Sequence, residues 1–198
     1  MHYRYQLIDR ETCYRGFFRL DRLHLRHECF GGGMGPPLTR EVLLRGPAVA
    51  ALPYDPQRDR CVLIEQFRVG ALEQAETPWL LEIVAGIVES GESPELVVGR
   101  ELREETGGEL QALVPICRLF TSPGGCDESL SLYCARVDSA ATGGIHGLAE
   151  EGEDIRAFAL PREAALGLLA EGRICTAPAV VALQWLALNH VALRQQWR

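Results

Sequence analysis

The stretch Gly86–Gly107, GIVESGESPELVVGRELREETG, constrains this chain more than any other. It sets a glycine and the acid Glu92 ahead of a helix that carries Arg100, Glu101, Glu104 and Glu105. At α-helical spacing the last three acids fall within an arc of roughly 100°. Like charges that close repel one another by a few tenths of a kcal/mol per exposed pair. A hard divalent cation such as Mg²⁺, which takes oxygen ligands, would turn that repulsion into binding. Ser93-Pro94-Glu95 marks the helix start independently, with serine as N-cap, proline at the first position and an acid at the positive end of the dipole. The plainer reading of the face is a solvated acidic surface with an Arg100–Glu104 pair one turn apart.

Composition narrows the partners. The chain has 198 residues, 47% hydrophobic and 24% charged, which suits a globular domain with room for an extension. Its formal charge of −7 argues against nucleic acid as partner, since a phosphate backbone needs a basic face. An anionic substrate would therefore need local arginines or metal ions. The seven cysteines are scattered without a CxxC pair, which predicts a reducing compartment with neither a disulfide framework nor a zinc ribbon. The five histidines show no ligand spacing and read as structural. MHYRYQLIDRE lacks the apolar core of a signal peptide, and the apolar run near Ala177–Leu188 is too short to span a bilayer. The expectation is a soluble cytoplasmic protein with no membrane partner.

Along the chain, residues 1–46 read as a strand-rich extension too poor in apolar residues to fold alone. Within it, Arg19–His27 alternates with a break near Asp21–Leu23 that suggests a bulge, and Gly31–Pro37 reads as a flexible connector. Residues 47–198 read as a mixed α/β domain. Ala48–Tyr54 and Cys61–Phe67 form a hairpin about Asp55–Asp59, and Trp79–Val84 is a short strand leading into the glycine-headed loop. Leu113–Thr121, Ser129–Val137 and Ile155–Leu160 read as strands. A helix starts near Pro161 and stops at Gly172, and Ala177–Trp197 is a long amphipathic helix with its leucines, valines and tryptophans in the core. The acid-rich stretch Gly147–Asp154, expected as an extended loop before the Ile155 strand, could add carboxylates to those of the helix. Carboxylates gathered from two such places could retain divalent ions and leave one acid over to take a proton.

Gly86, Glu92, Arg100, Glu101, Leu102, Glu104, Glu105 and Gly107 stand at the spacing of the Nudix box, Gly-x5-Glu-x7-Arg-Glu-hydrophobic-x-Glu-Glu-x-Gly-hydrophobic. Seven fixed identities at about 6% usage each give a chance occurrence on the order of 10⁻⁹ per position. The chain departs from the pattern once: Gly108 fills the last hydrophobic position, which predicts looser packing at the helix end. Further matches are Glu11–Phe18, Arg40-Glu41, Leu63–Arg68, Glu76–Glu82, Thr121–Gly125, Gly144–Leu148 and Ala182–Leu186. With Pro123 about fifteen residues past the box, the chain resembles the bacterial ADP-ribose pyrophosphatase branch of the Nudix hydrolases over nearly its full length.

The resemblance implies a Nudix fold, an α/β/α sandwich with a mixed sheet, plus the N-terminal β-rich extension. Glu101, Glu105, Glu153 and the carbonyl of Ala85 would hold Mg²⁺, with Mn²⁺ as an alternative. Glu151 would act as general base, with Glu150 the competing choice by register alone. Glu104 would sit close to the metals and pair with Arg100, while Glu92 would steady the loop. Phe17 and Phe18 would flank the adenine, and Arg40 and Glu41 would read its edge. Arg45 and Arg68 would lie near phosphates or ribose, and Ser122, Pro123, Gly124 and Glu128 would line the terminal ribose. The implied activity is hydrolysis of ADP-ribose to AMP and ribose 5-phosphate by a homodimer with a swapped N-terminal segment. The alternatives are a Nudix enzyme for another nucleoside diphosphate sugar, such as GDP-mannose, and a non-catalytic Nudix-fold sensor of ADP-ribose.

Overall fold

In the computed structural model, which describes residues 2–73 and 76–197, the strands gather into one sheet of three and one of eight. The chain divides into two units, Met1–Pro47 with Phe120–Ser129 and Ala48–Leu119 with Leu130–Arg198. The first unit thus takes in Phe120–Ser129, which the sequence placed in the larger domain.

In the first unit, strands β1 (Tyr5–Arg15), β2 (Arg19–His27) and β3 (Leu38–Leu44) pair antiparallel in that order. Asp21, in β2, has no exposed surface. Thr12 Oγ1 donates to it at 2.9 Å, and Arg10 and Arg19 lie 3.3 and 3.2 Å from its carboxylate oxygens. An unpaired buried carboxylate would be costly, so these partners are what permits an acid inside the strand. The acid accounts for the break in alternation at Asp21–Leu23 without a bulge in β2. The irregularities lie instead on β1, where Ile8 and Cys13 are the extra residues in the pairing. Gly31–Pro37 belongs to a hydrogen-bonded hairpin loop, with Cys29 N–H donating to Gly33 O at 3.0 Å and Gly35 N–H to His27 O at 2.9 Å.

In the second unit, β4 (Pro47–Asp55) and β5 (Arg60–Phe67) form the expected hairpin. Asp55 closes its turn by accepting from Gln57 N–H and Arg58 N–H at 2.9 and 3.0 Å. The single strand expected over Trp79–Val84 is two, β6 (Trp79–Glu82) on β5 and β7 (Val84–Ile87) on β4. The chain changes partner at buried Ile83, so the first residues of the box are sheet rather than loop. Helix α1 (Pro94–Thr106) follows, then β8 (Ala112–Phe120), β9 (Ser129–Arg136), β10 (Gly144–His146) and β11 (Ile155–Pro161). Helices α2 (Arg162–Ala170) and α3 (Ala177–Gln196) end the chain. The sheet runs β10-β11-β5-β4-β9-β8.

Side-chain alternation puts helices on both faces of this sheet. Ala50, Leu52, Cys61, Leu63, Leu132 and Cys134 pack with Ala165 of α2 and Ala182, Leu183 and Leu186 of α3. Their neighbours Val49, Ala51, Tyr133 and Ala135 pack with Val97 and Val98 of α1, and Val62 with Leu102. The near-continuous apolar runs of β4 and β5 are therefore those of strands buried on both sides. One expectation fails on α3: Leu188 is 86% exposed and Val191 59%, because they lie on the face turned from the sheet. Among the described residues no helix is long and apolar enough to cross a membrane.

Candidate active site

Helix α1 starts as its sequence demands. Ser93 Oγ accepts from Leu96 N–H at 3.4 Å, Pro94 opens the helix, and left-handed Gly107 closes it. Burial of Val97, Val98 and Leu102 fixes its rotation against the sheet. That rotation sends Arg100, Glu101 and Glu104 to one side and draws Glu105 inside, where it is 2% exposed. Glu105 Oε2 accepts from Ala85 N–H in β7 at 3.1 Å. The backbone of β7 comes so close to α1 that a methyl group at Gly86 would overlap the Glu101 carboxylate, which is why the box begins with glycine.

The electrostatics are those of acids crowded in a poorly solvated place. Burial pushes Glu101 up to about 7; Arg100 opposes the shift, and Glu104, Glu153 and Glu151 reinforce it. Burial also holds Glu105 well above the ordinary carboxylate range, with Glu101 and Glu153 adding repulsion against the help of Ala85 N–H and Arg68. Arg100 Nη1 stands 3.0 Å from both Glu101 Oε1 and Glu104 Oε2, and Arg100 Nε is 3.9 Å from Glu92. Glu92 also accepts from Glu89 N–H at 2.9 Å, closing the loop before the helix.

The acidic stretch is more compact than an extended loop. Ala149–Glu151 form a 3-10 turn ended by left-handed Gly152, so Glu150 and Glu151 do not alternate about a strand axis. Both are exposed. Glu151 is among the acids that raise Glu101. Glu153 is clasped in both directions: its carboxylate accepts from Leu148 N–H at 3.1 Å, and its own N–H donates to Leu148 O at 3.1 Å.

These residues fit a divalent cation by the chemistry of the donor set. All are oxygen donors, two are kept from easy ionisation by burial and mutual repulsion, and a double positive charge would relieve both costs. Among the described residues no three such groups stand at coordination spacing already, and the Arg100 guanidinium supplies the local positive charge.

The other predicted contacts occupy several places. Phe17 (88% exposed) and Phe18 sit in the β1–β2 turn with their rings edge-to-face at 4.8 Å. Arg45 lies over the Phe18 ring at 5.0 Å and pairs with Glu128 at 3.2 Å, so those three predicted residues come together. Glu128 also accepts from Thr121 Oγ1 at 2.7 Å. Ser122, Pro123 and Gly124 form a turn in which Cys126 N–H donates to Ser122 O at 2.9 Å. Arg40 and Glu41 fall on opposite faces of β3; Arg40 Nη1 donates to Thr39 O at 2.8 Å, and Glu41 lies 3.4 Å from Arg22. Arg68 is in the second unit, bonded to Glu82 at 2.7 Å.

Two residues without a role in the sequence motifs are Glu82, which lies within the Glu76–Glu82 match and fixes Arg68, and Asp127, which accepts from Arg45 N–H and Gly46 N–H at 2.7 and 3.0 Å. Only the cross-strand register could have revealed Glu82. Asp127 is a side chain capping backbone donors distant in sequence, a pairing that local pattern does not encode.

The NUDIX domain model matches residues 44–180. ADP-ribose pyrophosphatase of Escherichia coli (strain K12) is 48% identical over 192 residues, 97% of this chain and 92% of that one. ADP-ribose pyrophosphatase of Haemophilus influenzae is 44% identical over 98% of this chain and 90% of its own. GDP-mannose pyrophosphatase of Cronobacter sakazakii is 35% identical over 77% of this chain and 79% of that one. A crystal structure of an ADP compounds hydrolase superposes with a TM-score of 0.71 at 22% identity, covering 97% of this chain and 95% of that chain. The chain belongs to the Nudix family.

Proposed function

We propose that the protein hydrolyses the pyrophosphate of ADP-ribose to AMP and ribose 5-phosphate in the presence of Mg²⁺. The observation that carries this reading is the mutual crowding of Glu101 and Glu105 on α1 with Glu153 and Glu151 from the acidic turn. Glu101, Glu105, Glu153 and the Ala85 carbonyl would hold Mg²⁺, with Mn²⁺ as a substitute, and the chemistry supplied there would be neutralisation of diphosphate oxygens and acidification of water. Glu151 takes the proton from the attacking water, and its exposure leaves it free to reach one. Glu104 keeps Arg100 from neutralising Glu101 alone.

Adenine packs against Phe17 and Phe18. Arg40 and Glu41 read the base edge, Arg45 and Arg68 serve phosphate or ribose, and Ser122, Pro123, Gly124 and Glu128 line the terminal ribose. The protein works as a homodimer with swapped N-terminal segments, a reading supported by the exposure of β1 at every position. The proposed division is an N-terminal segment 1–46 and a hydrolase domain 47–198, the latter lending Phe120–Ser129 to the first compact unit, and the protein is cytoplasmic, in keeping with seven free cysteines.

The test is a panel of nucleoside diphosphate sugars assayed with Mg²⁺, products identified by mass. ADP-ribose is expected to give AMP and ribose 5-phosphate with the highest kcat/KM. The similarity to a GDP-mannose enzyme over 77% of the chain supplies the competing substrate. Preference for the guanine compound overturns the substrate assignment; no turnover of any member overturns the enzyme.

A further inference from the structure

The segment Gly143–Gly147 has no part in the chemistry above, yet it is the strap between the two sources of acid. The last carbonyls of a helix lack partners within it. Here Gly143 N–H donates to Thr106 O at 3.0 Å and Gly147 N–H to Glu104 O at 3.2 Å, so both ends of the strap are fastened to the last turn of α1. Between them β10 pairs with β11, and the His146 ring bonds through Nε2 to Gly143 O at 2.9 Å. A carbonyl only accepts, which puts the ring proton on Nε2. The ring also packs beneath the helix end, since a methyl at Gly107 would stand 2.9 Å from His146 Cε1.

Gly147 then sets the distance to the acidic turn. Its φ is +99°, and a methyl there would lie 2.7 Å from Glu153 Cβ and 3.2 Å from Glu153 O. The next residue, Leu148, exchanges hydrogen bonds with Glu153 in both directions. From the Glu104 carbonyl to the Glu153 carboxylate the path therefore crosses only Gly147 and Leu148. The departure at Gly108 belongs to the same arrangement. A methyl there would meet Thr142 Cγ2 at 2.7 Å and Thr106 Oγ1 at 3.0 Å, so the space of a hydrophobic side chain is taken by the root of the strap.

We propose that His146 and Gly147 are positioning residues: the ring holds the strap in shape, and Gly147 holds Glu153 at its working distance from the acidic face of α1. The inference rests on the reading of Glu101, Glu105 and Glu153 as cation ligands, and it assigns a task to a histidine that sequence spacing left as merely structural.

The experiment measures Mn²⁺ binding to the metal-free full-length protein by calorimetry, without substrate, beside melting temperature and the split between kcat and KM for ADP-ribose. His146→Ala and Gly147→Ala are expected to weaken Mn²⁺ binding by about tenfold or more and to lower kcat more than they raise KM. His146→Gln, whose amide N–H can reach Gly143 O, should stay within about threefold of the parent. Gly172→Ala also strains a left-handed glycine (φ +73°) with nothing near it, so it should lower the melting temperature and leave Mn²⁺ affinity unchanged. Folded His146→Ala and Gly147→Ala proteins that bind Mn²⁺ like the parent overturn the proposal, as does equal weakening by Gly172→Ala. If Gly147→Ala does not fold, the contrast between His146→Ala and His146→Gln decides alone. Unchanged Mn²⁺ affinity in Glu101→Gln instead overturns the ligand assignment on which the strap depends.

Discussion

The acid-bearing unit and the N-terminal unit are built on opposite terms. In the acid-bearing unit, β4 and β5 are covered on both faces, and Leu52, Leu63 and Leu183 have no exposed surface. In the N-terminal unit, β1 is exposed at every position, with Tyr5 at 78% and Tyr14 at 64%, and Phe17 in the turn that follows it is 88% exposed. A rigid, doubly covered sheet can hold like charges against their repulsion, because the helix carrying them cannot move aside. An uncovered sheet with apolar side chains has spent little of its surface on its own stability and keeps it for contacts elsewhere. Chemistry is thus proposed for the closed unit and recognition for the open one.

Substitutions can break this division in order of expected effect. Glu101→Gln and Glu151→Gln should each cut kcat by about a hundredfold or more with the fold intact. Retention of more than a few per cent of the parent rate removes that residue from its role. Glu101→Gln should also raise the melting temperature of the metal-free protein at pH 8. The sign follows from the raised group: the folded state favours the protonated acid, so stability is lost as pH climbs toward about 7, and the amide is spared that loss.

Stability should separate the units next. Leu183→Ala in the closed core is expected to cost about 2–5 kcal/mol by denaturant unfolding. Leu7→Ala on β1, 46% exposed, should cost under about 1 kcal/mol and act on self-association, read by sedimentation. Equal losses would contradict the contrast.

Asp55 gives a smaller, pH-dependent effect. It is 1% exposed; burial alone would raise its carboxyl, but hydrogen bonds from Ser139 and Arg58 outweigh that and hold it well below the usual range. A depressed acid contributes stability above its unfolded value and loses it as pH falls. Asp55→Asn should therefore be less stable than the parent at pH 7, by about 1–3 kcal/mol in unfolding free energy, with the gap narrowing below about pH 4. A gap that widens in acid would refute this. Smallest of all, Phe17→Ala should raise KM for ADP-ribose and leave melting unchanged; an unaltered KM removes the ring from the adenine site.

The legibility of the chain follows the range of the interactions. Helix α1 was readable residue by residue because a cap, a first-position proline and a left-handed glycine are local chemistry. The β4–β5 hairpin was readable because two apolar runs flank a turn rich in Asp and Pro. What escaped depends on distant partners. Leu188 and Val191 could be told from core residues only by knowing which face of α3 the sheet takes. The break at Ile83 reflects two different neighbouring strands, and the bulges on β1 were mistaken for one in β2 because buried Asp21 mimics a slipped register. Within the site, the box acids were legible from spacing, whereas the compact turn at Ala149–Glu151 and the seat of His146 were not.

The most direct test is a crystal structure with Mg²⁺ and a non-hydrolysable ADP-ribose analogue. The account predicts magnesium held by Glu101, Glu105 and Glu153 against the diphosphate, with Glu151 beside a water in line with phosphorus. Magnesium bound elsewhere, with those carboxylates facing away from the diphosphate, would contradict it.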